Sequence, residues 1–330
     1  MARPTKILIL RFSSIGDIVL TSPVVRCLKQ QLPGLSVHYA TKRAYSALIG
    51  PNPYIDKGYY LDDSLAALIR QLRAEDYDLV IDLHNNLRTR AVKLALGKPA
   101  YTVDKLNWRK WLYVRWKVNC LPDRHIVDRY LDTVAPLGVS NDGGGLDYFI
   151  PDADRLSLDQ LPVSHHYGYA AYAMGGQHAT KRLPVSRMIE LVQRIDYPVV
   201  LLGGAEDREA GAAVEQALGP DRVYNACGLY RFSQSASLVQ QARVVFSHDT
   251  GLMHVAAAFR KKVYALWGNT TPELGMYPYQ TPHVSLQVPN LPCRPCSKIG
   301  SARCPQGHFR CMNELNLAVP MPELSHERIA

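Results

Sequence analysis

The chain has 330 residues, and at roughly 150 residues per domain that length suggests two domains of ordinary size. Hydrophobic residues make up 47% and charged residues 20%, with a mean hydropathy of -0.14, which excludes wholesale disorder. The net charge of +9 and isoelectric point near 9.1 favour an anionic partner, whether phosphate, nucleic acid or a membrane surface. No apolar run approaches the roughly 20 residues of a membrane span. The N-terminal run Ile7–Leu10 is closed by Arg11 and is too short for a secretory signal, so a cytoplasmic protein is expected. Seven cysteines are too few for a disulfide scaffold in a chain this long.

The opening reads as a strand and then a helix. Lys6–Arg11 is a continuous apolar run ending in a cation, Phe12–Asp17 is a small-residue turn, and Ile18–Leu32 carries apolar residues at helical spacing before Pro33-Gly34. Further strand-like runs follow at Leu35–Ala40 and Leu79–Leu83, with a helical stretch at Ser64–Ala74 between them. Asn141-Asp142-Gly143-Gly144-Gly145 is the strongest break, and the alternation then starts again. Tyr167–Ala173, Val199–Leu202, Val244–Phe246 and Val263–Leu266 read as strands; Ser186–Ile195, Glu206–Leu218 and Phe232–Gln241 read as helices. The pattern predicts two α/β domains with parallel sheets, residues 1–150 and 151–330, joined within 141–165.

Three turns could carry chemistry. Ser13-Ser14-Ile15-Gly16-Asp17 follows the first strand, at the edge where open parallel sheets bind ligands. Asp17 is there either a helix-opening acid or a functional carboxylate. Gly175-Gly176-Gln177-His178-Ala179-Thr180-Lys181-Arg182-Leu183-Pro184 places two cations before a helix start, as a phosphate loop or as solvated charge. It lacks the ending of a P-loop. His248-Asp249-Thr250-Gly251, with a helix from about Leu252, offers backbone N–H groups and a hydroxyl to a diphosphate. Asp249 is alternatively a plain N-cap, and His254 a buried structural imidazole.

Two further stretches stand apart. Cys293-x-x-Cys296, Cys304 and Cys311 could hold a structural zinc or pack as reduced thiols. Asn107–Val118 mixes three Trp with four cations, suited to a membrane interface or a nucleic-acid backbone, or else an amphipathic helix with a core-facing aromatic side.

Together the motifs resemble glycosyltransferase family 9, the heptosyltransferases of lipopolysaccharide inner-core assembly. The resemblance is carried by Phe12–Asp17, by Lys181 with Pro184, and by Asp249-Thr250-Gly251-x-Met253-His254-x-Ala256-Ala257. Asp82–Arg88, His125–Tyr130 and Ala265–Pro272 add to it. It implies a GT-B fold, two Rossmann-like domains whose parallel sheets face a central cleft, with acceptor binding in 1–150 and donor binding in 151–330. The implied reaction is inverting transfer of a heptose from ADP-heptose to a lipopolysaccharide precursor, with no cofactor required. Asp17 would be the general base and Lys181 would neutralise the donor phosphates. Arg182, Glu206 or Asp207, Asp249, Thr250, Gly251 and His254 would line the donor side; Ser14, Gly16, Asn85 and Arg88 would line the acceptor side. A lipid-linked acceptor implies a chain that is peripheral on the cytoplasmic face of the inner membrane, with no nucleic-acid partner.

Two positions depart from the family pattern: Leu183, where Trp often follows the Lys, and Asn269, where Pro often stands. Both bear on donor identity. The rivals are a same-fold transferase using another nucleotide sugar, a Rossmann-type epimerase or dehydrogenase, and a zinc-bearing nucleic-acid binder. The single glycine after the first strand opposes an NAD enzyme. Two cleft-forming domains oppose the nucleic-acid binder.

Overall fold

The computed structural model describes residues 4–324. The chain divides into two units: Met1–Asn107 with Arg124–Phe149, and Trp108–Asp123 with Ile150–Ala330. Within the span 1–150 expected as one domain, residues 108–123 therefore cluster with the second unit, so the aromatic, basic stretch is not an N-terminal feature.

The first unit is built on five parallel strands, β1 (Lys6–Leu10), β2 (Ser36–Lys42), β3 (Lys57–Leu61), β4 (Leu79–Asp82) and β5 (Ala100–Thr102), in the order β3-β2-β1-β4-β5. The second holds six, β6 (Ala170–Ala173), β7 (Val199–Leu202), β8 (Val223–Asn225), β9 (Val244–His248), β10 (Lys262–Leu266) and β11 (His283–Leu286), in the order β11-β10-β9-β6-β7-β8. All its pairings are parallel as well. Helices follow most strands and cover the sheet faces, which is why β1, β4, β6, β7 and β9 are almost wholly buried and read as unbroken apolar runs.

The strands not anticipated from sequence are β3, β5, β8 and β11, the outer strands of the two sheets. They are short or only half-buried. An edge strand is covered on fewer sides and needs no continuous apolar run.

The expected helix Ile18–Leu32 is in fact two, Ile15–Val19 and Ser22–Gln31. Pro23 has no N–H to give and its ring crowds the preceding turn, so the chain restarts with the proline in the first turn of the second helix. Ser64 caps the helix Leu65–Arg73 by accepting from the Ala67 N–H at 3.2 Å, which sets its start.

The glycine-rich break belongs to the first unit because Arg26 holds it there. The buried guanidinium donates to Asp142 Oδ2 and Oδ1 at 2.7 and 2.8 Å, to the Gly145 carbonyl at 2.9 Å, and to Asp147. Arg26 in turn holds the Asp142 carboxyl down at about 2. A Cβ on Gly144 would lie 2.7 Å from Arg26 Nη2, so only glycine lets the chain pass. Among the described residues no helix is long and apolar enough to cross a membrane. Arg26→Ala leaves two carboxylates without their cation and is expected to cost about 2–3 kcal/mol, discounted because both are partly exposed. An unchanged urea midpoint would show that this network does not hold the segment.

Candidate active site

In the first unit the strand order reverses between β1 and β4, and open α/β sheets offer a crevice beyond the carboxyl ends of such a pair. The chain after β1 carries Asp17; the chain after β4 carries His84 and Asn85. Arg11 ties them together. Its buried guanidinium donates from Nε to the Ser13 carbonyl (2.7 Å), from Nη1 to the Leu83 carbonyl (2.6 Å) and Tyr130 Oη (3.0 Å), and pairs through Nη2 with Asp17 Oδ1 at 2.6 Å. Burial opposes its charge, but Asp17 and the nearby phenols more than compensate and raise its pKa.

Asp17 Oδ2 accepts from the Ser14 N–H at 3.1 Å and from Ser14 Oγ at 2.7 Å. Asp17 thus does the work of a helix-opening acid. Gly16 is buried in the same short helix.

His84 Nδ1 accepts from the Phe12 N–H at 3.0 Å, which requires the neutral ring; burial, then Arg11 and Lys105, lower its pKa to about 4. Of the expected acceptor-side residues, Asn85 spends its amide on the Val103 carbonyl at 3.0 Å, while Arg88 is exposed on the helix Leu87–Leu96.

In the second unit the reversal lies between β6 and β9. Lys181 follows β6 and Asp249 follows β9, and the two meet: Lys181 Nζ lies 2.7 Å from Asp249 Oδ2. Thr270, in the loop after β10, donates to the same oxygen at 2.9 Å. Thr250 occupies the N-cap position of the helix Gly251–Ala258 without a capping hydrogen bond from its side chain. The first-turn N–H groups of this helix, including that of Gly251, point toward the same edge as Lys181. His254 is buried on the second turn.

His248, quoted in the motif but given no role, fixes this geometry. Its Nε2 accepts from the Leu183 N–H at 3.1 Å and lies 3.0 Å from Tyr172 Oη, while Nδ1 faces the Met174 carbonyl at 2.9 Å. With Nε2 accepting, Nδ1 carries the proton and donates to the carbonyl. Burial lowers its pKa to about 4. The neutral imidazole therefore stitches the loop that carries Lys181 to the ends of β6 and β9. Arg182 and Asp207 pair at 2.9 Å, and Asp207 also accepts from the Gly204 N–H at 2.9 Å. Asp207 is thereby a loop tie, and Glu206 beside it is exposed.

Both departures from the family pattern are buried packing positions. Leu183 belongs to the hydrophobic core of this unit. Asn269 donates from its backbone N–H to the Thr180 carbonyl at 3.3 Å and from Nδ2 to Ser297 Oγ at 3.0 Å. Thr180 Oγ1 exchanges hydrogen bonds with the backbone of Ser301 at 3.0 and 2.8 Å, and Arg294 donates to the Thr270 carbonyl at 2.8 Å. The cysteine-rich segment is thus laced onto the loops that carry Lys181 and Thr270. Gly268 permits this closeness, since a Cβ there would lie 2.4 Å from the Thr180 carbonyl.

Cys293, Cys296, Cys304 and Cys311, expected as zinc ligands or packed thiols, are free thiols, with Cys311 buried. Burial, and then the neighbouring thiols, push Cys296 up to about 11; burial pushes Cys311 to about 12. Among the described residues no group of three His, Cys, Asp or Glu is arranged to hold a metal ion.

The model of glycosyltransferase family 9 (heptosyltransferase) matches residues 65–305. The chain belongs to glycosyltransferase family 9. It is 25% identical over 290 residues to lipopolysaccharide heptosyltransferase 3 of Escherichia coli K12, covering 77% of this chain and 80% of that protein. It is also 25% identical over 359 aligned positions to lipopolysaccharide heptosyltransferase 1 of Pseudomonas aeruginosa, covering 98% and 96%. Among solved structures, E. coli ADP-heptose lipopolysaccharide heptosyltransferase II superposes with a TM-score of 0.68 at 21% identity, over 94% of this chain and 98% of that one. The fold is accordingly GT-B, and the protein is a glycosyltransferase of the heptosyltransferase family.

His84 and His248 also set a pH dependence. Both take up a proton less readily folded than unfolded, so their stabilisation is complete above about pH 6.5 and is lost as pH falls toward 4. Thermal unfolding temperatures are expected to decline over that interval. His248→Gln should be less stable at pH 7 and show a flatter decline; a parallel decline would assign the pH effect elsewhere.

Proposed function

We propose that this family 9 enzyme transfers a heptose from ADP-heptose to a lipopolysaccharide inner-core acceptor, with inversion at the anomeric carbon. The observation that carries the reading is the Lys181–Asp249 pair beyond β6 and β9, beside the N-terminus of Gly251–Ala258. That combination of a cation, a carboxylate and helix N–H groups suits a sugar diphosphate. The similarity to lipopolysaccharide heptosyltransferases, one of them described as an ADP-heptose enzyme, supports this donor and acceptor.

In the proposed reaction Asp17 takes the proton of the attacking acceptor hydroxyl. The oxygen bonds to the anomeric carbon as the bond to the β-phosphate breaks, and ADP leaves. Arg11 and Ser14 hold the Asp17 carboxylate in one orientation, which matters because general-base efficiency, typically 10²–10⁴-fold, depends on alignment. Negative charge grows on the departing diphosphate, where Lys181 and the helix N–H groups stabilise it. These groups supply the positive charge that a divalent ion supplies elsewhere, so the reaction is proposed to need no metal.

Asp17→Asn should lower kcat by roughly 10²-fold or more with ADP affinity little changed. Lys181→Ala should weaken ADP binding and also lower kcat. Normal turnover in the first variant, or normal ADP affinity in the second, refutes the role concerned.

The acceptor is lipid-linked, so the enzyme is proposed to work at an anionic membrane surface, touching it through the helix Asn107–Trp116. No residue of this helix is buried, and Trp108, Trp111 and Trp116 are 68%, 42% and 59% exposed. The aromatic side is thus not a core face. Trp108 and Trp111 stack at 4.9 Å, and Arg115 lies over Trp116 at 4.9 Å. Lys117 anchors the segment by donating to the Pro295 carbonyl at 2.7 Å. Salt-sensitive binding to anionic vesicles is expected, at about 1 kcal/mol per well-placed cation. Reversing Arg109, Lys110 and Arg115 to Glu should abolish it while sparing turnover on a soluble acceptor. Parental vesicle binding by that variant would refute the docking role.

A further inference from the structure

The first unit contains a third buried arginine besides Arg11 and Arg26, and it is held quite differently from either. Arg129, on the helix Ile126–Leu131, is 7% exposed. Its Nη1 reaches only the Asp104 carbonyl, at 3.5 Å, and its Nε has no hydrogen-bond partner among the described residues. The nearby carboxylates are otherwise engaged. Asp132 is clamped by Arg124 through two hydrogen bonds of 2.9 Å, and Asp104 Oδ1 accepts from the Leu106 N–H at 2.8 Å. Burial, offset only in part by Tyr130 and by the Asp104 and Asp132 carboxylates, lowers the pKa of Arg129, yet a guanidinium stays charged under all ordinary conditions.

A buried cation with no carboxylate in ion-pair contact is costly, and folds tolerate it where a ligand supplies the missing partner. The place fits a ligand. Asp104 lies just beyond β5, at the carboxyl edge of the sheet. Tyr130, the next residue on the same short helix, reaches Arg11, which holds Asp17. Lys105 adds positive charge there, close enough to help depress His84.

We propose that Arg129 is the receptor for an acid group of the acceptor, a carboxylate or a phosphate, which its planar fork grips through two hydrogen bonds. The inference rests on the reading of the first unit as the acceptor side and adds to it a specificity determinant. An acceptor carrying that acid group places its hydroxyl near Asp17. One lacking it leaves Arg129 buried and unpaired, and is rejected for that reason.

The test is calorimetric binding of a soluble, deacylated inner-core fragment to the full chain with no donor present. Wild type is expected to bind it at least tenfold more tightly than Arg129→Gln, while the two bind ADP alike. The fragment with its carboxylates methyl-esterified, and the fragment stripped of phosphate by a phosphatase, identify the source: whichever treatment removes the wild-type advantage removed the group that Arg129 holds. Arg129→Lys keeps the charge without the fork and is expected to lose less affinity and still to discriminate between intact and neutralised fragments. It decides the matter should the Gln variant fail to fold. Equal affinity of wild type and variants for the intact fragment, or indifference of wild type to both treatments, overturns the proposal alone. A wild type that neither binds the fragment nor transfers heptose to it overturns the acceptor reading beneath it.

Discussion

Both candidate sites depend on one constraint, the reversal of strand order in a parallel sheet. The chain leaves β1 toward one side and returns at β4 on the other, and it does the same between β6 and β9. At each reversal the loops after the two neighbouring strands diverge, one over each face, the arrangement at which open parallel sheets bind ligands. Asp17 and His84 stand at the first, Lys181 and Asp249 at the second. The polar residues at these edges are therefore a consequence of topology. They sit where backbone N–H groups and loop side chains lie open to a ligand while the strands themselves remain sealed.

Sealing creates a further demand, because a polar group carried by a buried strand end must find partners inside the protein. Arg11 and His248 are the two responses. Arg11 closes an apolar run with a charge, and its donors are consumed by two carbonyls, a phenol and Asp17. His248 ends β9 as a neutral ring whose two nitrogens hold loops on either side. In both cases the buried group fixes a loop more rigidly than the loop's own sequence could. The roles proposed for Asp17 and Lys181 would gain from this, since catalysis rewards groups already oriented before substrate arrives.

The second unit adds a device of its own. The cysteine-rich segment is knotted to Thr180, Asn269 and Thr270 by backbone and side-chain hydrogen bonds. Asn269 can join because it has both an N–H and an amide, neither of which a proline offers. The segment thereby braces the loops that carry Lys181 and Thr270.

Much of the architecture was legible in the sequence. The buried central strands announce themselves because burial on both faces demands unbroken apolar runs, and the motif turns follow them at the edge where ligands bind. Asp17, Lys181 and Asp249 were visible for the same reason: short polar turns between periodic segments. The outer strands were not, because half-covered strands carry no comparable pattern. The split of the first helical stretch was readable in principle from Pro23. The partners that give each residue its behaviour lay beyond any local reading. Asp17 and Arg11 sit six residues apart and could be paired by inspection, but Lys181 with Asp249, Arg182 with Asp207, and His248 with the Leu183 N–H join residues that only the sheet order brings together. Arg129 is the extreme case. Nothing in its neighbourhood along the chain separates it from a surface arginine, since having no counter-ion is a property of what surrounds a side chain in space. Sequence determined which strands would be buried and which polar turns would follow them, because burial and turn chemistry are written locally. Tertiary structure alone decided which charges are paired, because pairing depends on distances that the chain sets only when folded.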